Sequence, residues 1–161
     1  VATRKRKATL KGIPTKIWQT WKSKELAPRI VPYVESWKAN TDYEYSYNDD
    51  EDCKSFIDSL DDQDIKVCYD KMPLPVMKAD LWRYLIVYTH GGVYADVDTT
   101  CNTKVSEWIP KGANLVLCIE DNKSLFCQWT FAAEVNHPAL KQVIDDVLVA
   151  CKGYINMNDP H

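Results

Sequence analysis

The sequence predicts an α/β fold, a mainly parallel sheet flanked by helices, and three observations carry that prediction. An alternating segment near 15–19 is followed by helical spacing over 29–39 and by a second alternating segment at Tyr43, Tyr45 and Tyr47. A strand, helix, strand order favours parallel pairing, because a parallel pair needs a crossover that is normally helical. Further on, a helical pattern over 76–90 stops at Gly91-Gly92 and passes into the short strand Val93-Tyr94-Ala95, which delivers Asp96, Val97 and Asp98 at its carboxyl end. Open α/β sheets hold their ligands at such strand ends.

The elements follow in chain order. Ile13 to Trp21 alternates as a short strand that ends in a polar turn. Ile30, Val34 and Trp37 stand near helical spacing, and Asn40-Thr41-Asp42 stops that helix. The tyrosine-rich strand has one face packed and one face wet. Asp49-Asp50-Glu51-Asp52 places acid at the start of a helix running through Phe56, Ile57 and Leu60. Negative charge there favours the positive end of the helix dipole, so the cluster needs no catalytic explanation. A further helix covers 62–71, and Pro73 and Pro75 break the chain. In 76–90, Val76, Ala79, Leu81, Tyr84, Leu85 and Tyr88 predict a helix buried on more than one side, with Gly91 suited to a left-handed cap. Strands are expected over 114–119 and 126–131 and a helix over 138–151, Pro138 fitting its first turn. Residues 156–161 carry no readable structure. His90 reads as a helix-end residue and His137 as a turn residue.

At 161 residues, 45% hydrophobic and 27% charged, the chain suits one folded, soluble domain over 13–155 behind a basic tail over 1–12. The run Arg4 to Lys7 reads as a solvated leader in preference to a localisation or lipid-surface signal. A net charge of -3 argues against a nucleic-acid partner, which requires a clustered basic surface. No run of about 18 apolar residues and no signal-peptide pattern occurs, so membrane attachment is expected only through an anchor absent from this chain. Six cysteines form no CxxC pair, which disfavours structural zinc and leaves disulfides and buried thiols equally compatible. Asn122-Lys123-Ser124, a single N-glycosylation sequon, tilts slightly toward a secretory compartment.

The chemistry concentrates around two pairs of charges. On an extended strand Asp96 and Asp98 face the same way, so two hard oxygen donors can share one divalent cation and leave positions open for a diphosphate. An isolated Asp-x-Asp is common by chance, and its context supplies the weight. Asp80 and Arg83 are three apart on one face of the preceding helix. They form either an ion pair bracing that helix or part of a site. Two apolar-flanked charges projecting toward the Asp96 and Asp98 end of the sheet favour the site, since buried charge is costly unless paired or used. No nucleophile or general base stands out.

Lys78-Ala79-Asp80-Leu81-Trp82-Arg83-Tyr84, followed by Gly91-Gly92-Val93-Tyr94-Ala95-Asp96-Val97-Asp98-Thr99, closely resembles the sugar-binding DXD region of glycosyltransferase family 32, which includes the yeast Golgi enzymes that initiate α-1,6-mannosylation. Ile13-Pro14 with Ile17-Trp18-Gln19-Thr20-Trp21, Asp42-Tyr43-Glu44-Tyr45 and Phe126-Cys127-Gln128-Trp129-Thr130 resemble that family's segments in the same order, over about 13–150. The resemblance implies a GT-A type nucleotide-diphospho-sugar transferase fold with Mn²⁺, or alternatively Mg²⁺, as cofactor. It implies that Asp96 and Asp98 hold the metal and diphosphate, often with the second aspartate as the direct ligand. It also implies that Asp80 and Arg83 hold the donor sugar, that Trp18 packs on the nucleobase unless it is a core aromatic, and that Tyr94 packs beside the nucleotide. Relatives continue with a Gly-Pro segment and a His/Trp-rich stretch that closes over the donor. Neither is found here, so the domain is expected to lack that closing segment.

The expected function is therefore retaining transfer of a hexose, with mannose from GDP-mannose favoured, from a nucleotide-sugar donor to a glycan or glycolipid acceptor. The Golgi lumen or secretory pathway is expected in a eukaryote, and the cytoplasm in a virus or bacterium. The rival expectation is a non-catalytic or truncated nucleotide-sugar-binding module. A Mg²⁺-dependent phosphatase or nuclease fits less well, because such enzymes usually recruit more carboxylates.

Overall fold

A computed structural model describes residues 12–158, so the expected tail falls, but for Gly12, outside the described residues. The elements are β1 (Lys16–Thr20), α1 (Val31–Lys38), β2 (Glu44–Asn48), α2 (Asp50–Ser59), α3 (Gln63–Lys71), α4 (Pro75–His90), β3 (Gly92–Ala95), α5 (Val105–Trp108), β4 (Leu115–Ile119), β5 (Phe126–Ala133) and α6 (Pro138–Asn158). They form one five-stranded sheet in the order β2-β1-β3-β5-β4. β1 pairs in parallel with β2 and β3, whereas β5 runs antiparallel to both β3 and β4. β5 is thus the one reversed strand, and the sheet is mainly parallel in strand direction but has an antiparallel hairpin at one edge.

Helices cover both faces. On one side Trp18, Trp82, Leu85, Tyr94, Phe131 and Ile144 pack a large core beneath α2, α3, α4 and α6. On the other, Ile17, Trp37, Val93, Val105 and Ala132 pack a smaller one beneath α1 and α5. The period-two alternation of β1 sends Ile17 to one core and Trp18 to the other.

Local chemistry explains the boundaries. Asp49 caps α2 in a reciprocal capping box with Asp52, and the Asp62 side chain accepts from the first amides of α3. Buried His137 accepts through Nδ1 from the Ala139 amide at the start of α6. Gly91 ends α4 with φ 66° and ψ -177°, so φ is positive as expected but ψ is extended, outside the left-handed cap region. A Cβ at Gly91 would lie 2.6 Å from Pro14 Cδ, which reserves the position for glycine.

Two elements exceed what periodicity revealed. The four-residue α5 was not expected, being shorter than any period can register. α6 runs on to Asn158, past the expected stop at 151 and through part of the stretch that had seemed structureless. Cys68 of α3 and Cys151 of α6 form a disulfide with Cα atoms 5.9 Å apart, while Cys53, Cys101, Cys118 and Cys127 are free thiols.

Candidate donor site at the carboxyl ends of β1 and β3

From β1 the chain crosses to β2 on one side of it and then returns to β3 on the other. Reversing direction in this way opens a crevice at the carboxyl ends of β1 and β3, the usual ligand position in such sheets. A cleft of about 270 Å³ lies there, lined by Thr20 and Trp21 after β1, Arg83 of α4, Tyr94 of β3, and Asp96 and Asp98 beyond it.

The four sequence-predicted residues in this cleft differ in environment. Arg83 is 7% exposed. Its Nη1 donates to the Gln128 carbonyl at 2.9 Å, its Nη2 lies 2.7 Å from Asp80 Oδ1 and 3.5 Å from Asp96 Oδ1, and its guanidinium carbon sits 4.8 Å from the centre of the Tyr94 ring. Its buried Nε has no partner among the described residues. The Tyr94 hydroxyl donates to Asp96 Oδ1 at 2.5 Å. Burial raises the Asp96 carboxyl above the ordinary carboxylate value, while Arg83 and the Tyr94 hydroxyl pull the other way. Burial also holds the Tyr94 phenol well above its ordinary value, so it remains a donor at neutral pH.

Asp98 is exposed and makes no hydrogen bond or ion pair among the described residues. The expectation that both carboxylates project alike from an extended strand is corrected. β3 ends at Ala95, and the Thr99 amide and hydroxyl donate back to the Asp96 carbonyl at 3.2 and 2.6 Å, closing a turn around Val97. Val97 is buried against Ile30 and Val34. That anchoring separates a tethered Asp96 from an unencumbered Asp98.

Trp18 also requires correction. Its indole is 9% exposed, belongs to the main core and donates from Nε1 to the Gly91 carbonyl at 2.8 Å. It does not line the cleft, whereas Trp21 does. Two residues separate them, and one sits within the strand while the other lies just beyond its end. The alternation of Ile17 and Trp18 signalled the inward position. Asp80 is 39% exposed at its side chain and lines the groove between α4 and α6, joining the cleft through its pairing with Arg83. Gln19 and the backbone of β5 went unnoticed in the sequence. Gln19 Nε2 donates to the Asp96 carbonyl at 3.1 Å, and the Asp96 amide donates to the Trp129 carbonyl at 2.9 Å.

The donor set suits a divalent cation shared with a ligand. No cluster of three or more His, Cys, Asp or Glu side chains able to hold a metal occurs among the described residues. Asp98 and the second oxygen of Asp96 are hard oxygen donors of the kind a small divalent cation takes.

These features define a class. The structure of a protein titled "PaToxG Glycosyltransferase" matches 92% of this chain and 64% of that one with a TM-score of 0.66 at 18% identity, and the fold is the GT-A type of nucleotide-diphospho-sugar transferase. Residues 28–114 match the family described as "Glycosyltransferase sugar-binding region containing DXD motif", and the chain belongs to it. It is 34% identical to the "Initiation-specific alpha-1,6-mannosyltransferase" of Candida albicans over 83% of this chain and 42% of that protein. It is 36% identical to the protein of the same name from Schizosaccharomyces pombe, over 82% and 39%. The "Inositol phosphoceramide mannosyltransferase 3" of S. pombe is 38% identical over 56% of this chain and 26% of its own length. The chain thus spans about two fifths of the length of the two initiation-specific relatives.

Proposed function

We propose that this chain forms the donor site of a metal-dependent hexosyltransferase that moves mannose from GDP-mannose to a glycan or glycolipid acceptor with retention of configuration. The observation that carries this reading is the contrast at the strand end between Asp98, unpaired and open to the cleft, and Asp96, tethered by Tyr94 and Arg83. Mannose is supported by the names of the relatives.

Asp98 is the direct ligand of a divalent cation, Mn²⁺ or Mg²⁺, with Asp96 contributing its remaining oxygen. When bound, that ion supplies Lewis-acid stabilisation to the departing diphosphate. Arg83 and Asp80 orient the sugar, the guanidinium being held in advance by the Gln128 carbonyl and the Tyr94 ring. Trp21, not Trp18, takes the stacking role toward the base. The secretory pathway is supported by the Cys68–Cys151 disulfide and by the exposed sequon at Asn122 between β4 and β5. No helix among the described residues is long and apolar enough to cross a membrane.

The test is release of GDP and free mannose from GDP-mannose with Mn²⁺ present and acceptor absent, compared between the parent and Asp98→Ala. Metal-dependent release that the variant loses supports transfer. Tight GDP binding without turnover in the presence of acceptor glycans would favour a non-catalytic donor-binding module.

A further inference from the structure

Beyond the turn that carries the two aspartates, on the face of the sheet covered by α1 and α5, lies a hollow of about 390 Å³ that the donor assignments leave unused. Asp98 lines the donor cleft and the next residue, Thr99, lines this hollow, so one turn forms the wall between them. Thr99 fixes that wall: its hydroxyl donates to the Asp96 carbonyl at 2.6 Å and accepts from Nε1 of Trp37 at 3.2 Å. Trp129 serves both sides. Its carbonyl receives the Asp96 amide, and its side chain, 44% exposed, lines the hollow.

Two properties of the lining select a ligand. First, the hollow is lined by no Lys, Arg, His, Asp or Glu, in contrast to the donor cleft with Lys22, Asp50, Arg83, Asp96 and Asp98. A phosphate would find no cation there, and an amine no carboxylate. Second, Trp108 and Trp129 line it together with Thr100, Asn102 and Thr103, and none of these five side chains makes a hydrogen bond among the described residues. Aromatic faces with unused hydroxyl, amide and indole N–H groups match a hexose, which presents C–H groups on a ring face and hydroxyls around the rim. A lipid tail would cover the same aromatic surface but leave these polar groups unpaired, which costs free energy once water is excluded.

We infer that this hollow holds a neutral hexose of the acceptor glycan, its ring packed on Trp108 and Trp129 and its hydroxyls bonded to Thr100, Asn102 and Thr103. This rests on the proposed donor-site reading and deepens it, because it makes the acceptor a neutral glycan and names the residues that grip it. Thr99 adjoins Asp98, so the next unit of the same glycan crosses the turn toward the metal and the donor sugar.

The test is an NMR titration of the full chain, with its six tryptophan indoles ¹⁵N-labelled and GDP and Mg²⁺ saturating, against α-linked mannobiose and, separately, inositol phosphate. Mannobiose should shift the Trp108 and Trp129 indole signals saturably and leave those of Trp18 and Trp82, in the core, in place. Inositol phosphate, an anionic polyol, should bind at least about tenfold more weakly, the scale of leaving a charged group without its partner. Trp129→Ala should weaken mannobiose by at least about tenfold, as expected for truncating an aromatic anchor, and Trp129→Phe should recover most of that loss. GDP affinity should stay within about twofold in Trp129→Ala, because the carbonyl that holds the Asp96 amide belongs to the main chain. Asn102→Ala, an exposed change that spares the fold, should weaken mannobiose about twofold to tenfold, the scale of one hydrogen bond. A parent that binds GDP yet shows no saturable shift at Trp108 and Trp129 overturns the inference and leaves the donor-site reading standing. So does inositol phosphate binding as tightly as mannobiose, or mannobiose affinity unchanged in both Asn102→Ala and a Trp129→Ala variant that is folded by its melting curve. Failure of the folded parent to bind GDP with Mg²⁺ or Mn²⁺ overturns both readings.

Discussion

The parallel part of the sheet and its antiparallel edge contribute to the cleft in different currencies. β1, β3 and α4 supply side chains: Trp21, Arg83, Tyr94, Asp96 and Asp98 all lie on those elements or the turns that leave them. The β4–β5 hairpin supplies main-chain acceptors, namely the Gln128 carbonyl to Arg83 and the Trp129 carbonyl to the Asp96 amide. The inner end of β5 is buried, with Phe131 and Ala132 in the two cores, while Ile119, Leu125 and Phe126 at the outer end are each about 60% exposed. A site can therefore depend on a strand whose side chains leave no chemical signature, because the backbone carbonyls of that strand hold the functional groups in place.

The comparison breaks most visibly at Arg83, which joins the two parts. Arg83→Met should lower stability by about 3 kcal/mol, the lower end for breaking a buried charge network, because the Asp80 arm is partly solvated. Denaturant titration measures this, and donor hydrolysis should vanish in the same protein. Arg83→Lys should recover part of the stability but little of the activity, since an ammonium cannot reproduce the fork that reaches Gln128, Asp80 and Asp96 together. A Met variant as stable as the parent would mean that the hairpin does not depend on this strut.

The two tryptophans sharpen the same contrast within the parallel part. Trp21→Ala should weaken GDP binding by about 1–3 kcal/mol, the scale of base stacking on an aromatic ring, with the melting temperature little changed. Trp18→Phe should do the opposite, costing about 1 kcal/mol of stability through the lost bond to the Gly91 carbonyl and leaving GDP affinity intact. Calorimetry and thermal melting on both variants read the two effects, and the reverse pattern would restore Trp18 to the base.

Asp98→Asn isolates function from fold. Its stability should stay within about 0.5 kcal/mol of the parent, as for an exposed side chain without partners. Mn²⁺-dependent GDP binding should fall at least tenfold, a value expected from the loss of one ligand charge. Binding that is unaffected would transfer the metal role away from Asp98.

The smallest effect is expected at His90, beside the Trp18 and Phe56 rings. Burial, reinforced by Lys16, lowers its imidazole below the ordinary 6.5. The folded chain then holds this proton less tightly than the unfolded chain. The resulting stability is complete above the unfolded value and is lost as pH falls through the folded one. Melting curves taken from pH 7 downward should show this slope in the parent and a shallower one in His90→Gln.

Much of this molecule was legible because its signals are local. The strand, helix, strand succession of β1, α1 and β2, the acidic start of α2, the stop at Gly91 and the delivery of Asp96 and Asp98 follow from residue spacing, propensity and strand-end logic, which operate over a few neighbours. The tertiary structure alone decided that β5 runs against its neighbours, that Cys68 meets Cys151, and that the two aspartates have different surroundings. It also decided that Trp18 faces the core while Trp21 faces the cleft, and that Gln128 and Trp129 act through their carbonyls. These outcomes depend on which distant segment presents a partner, and a backbone carbonyl is the same at every position in the chain, so residue type could not reveal it.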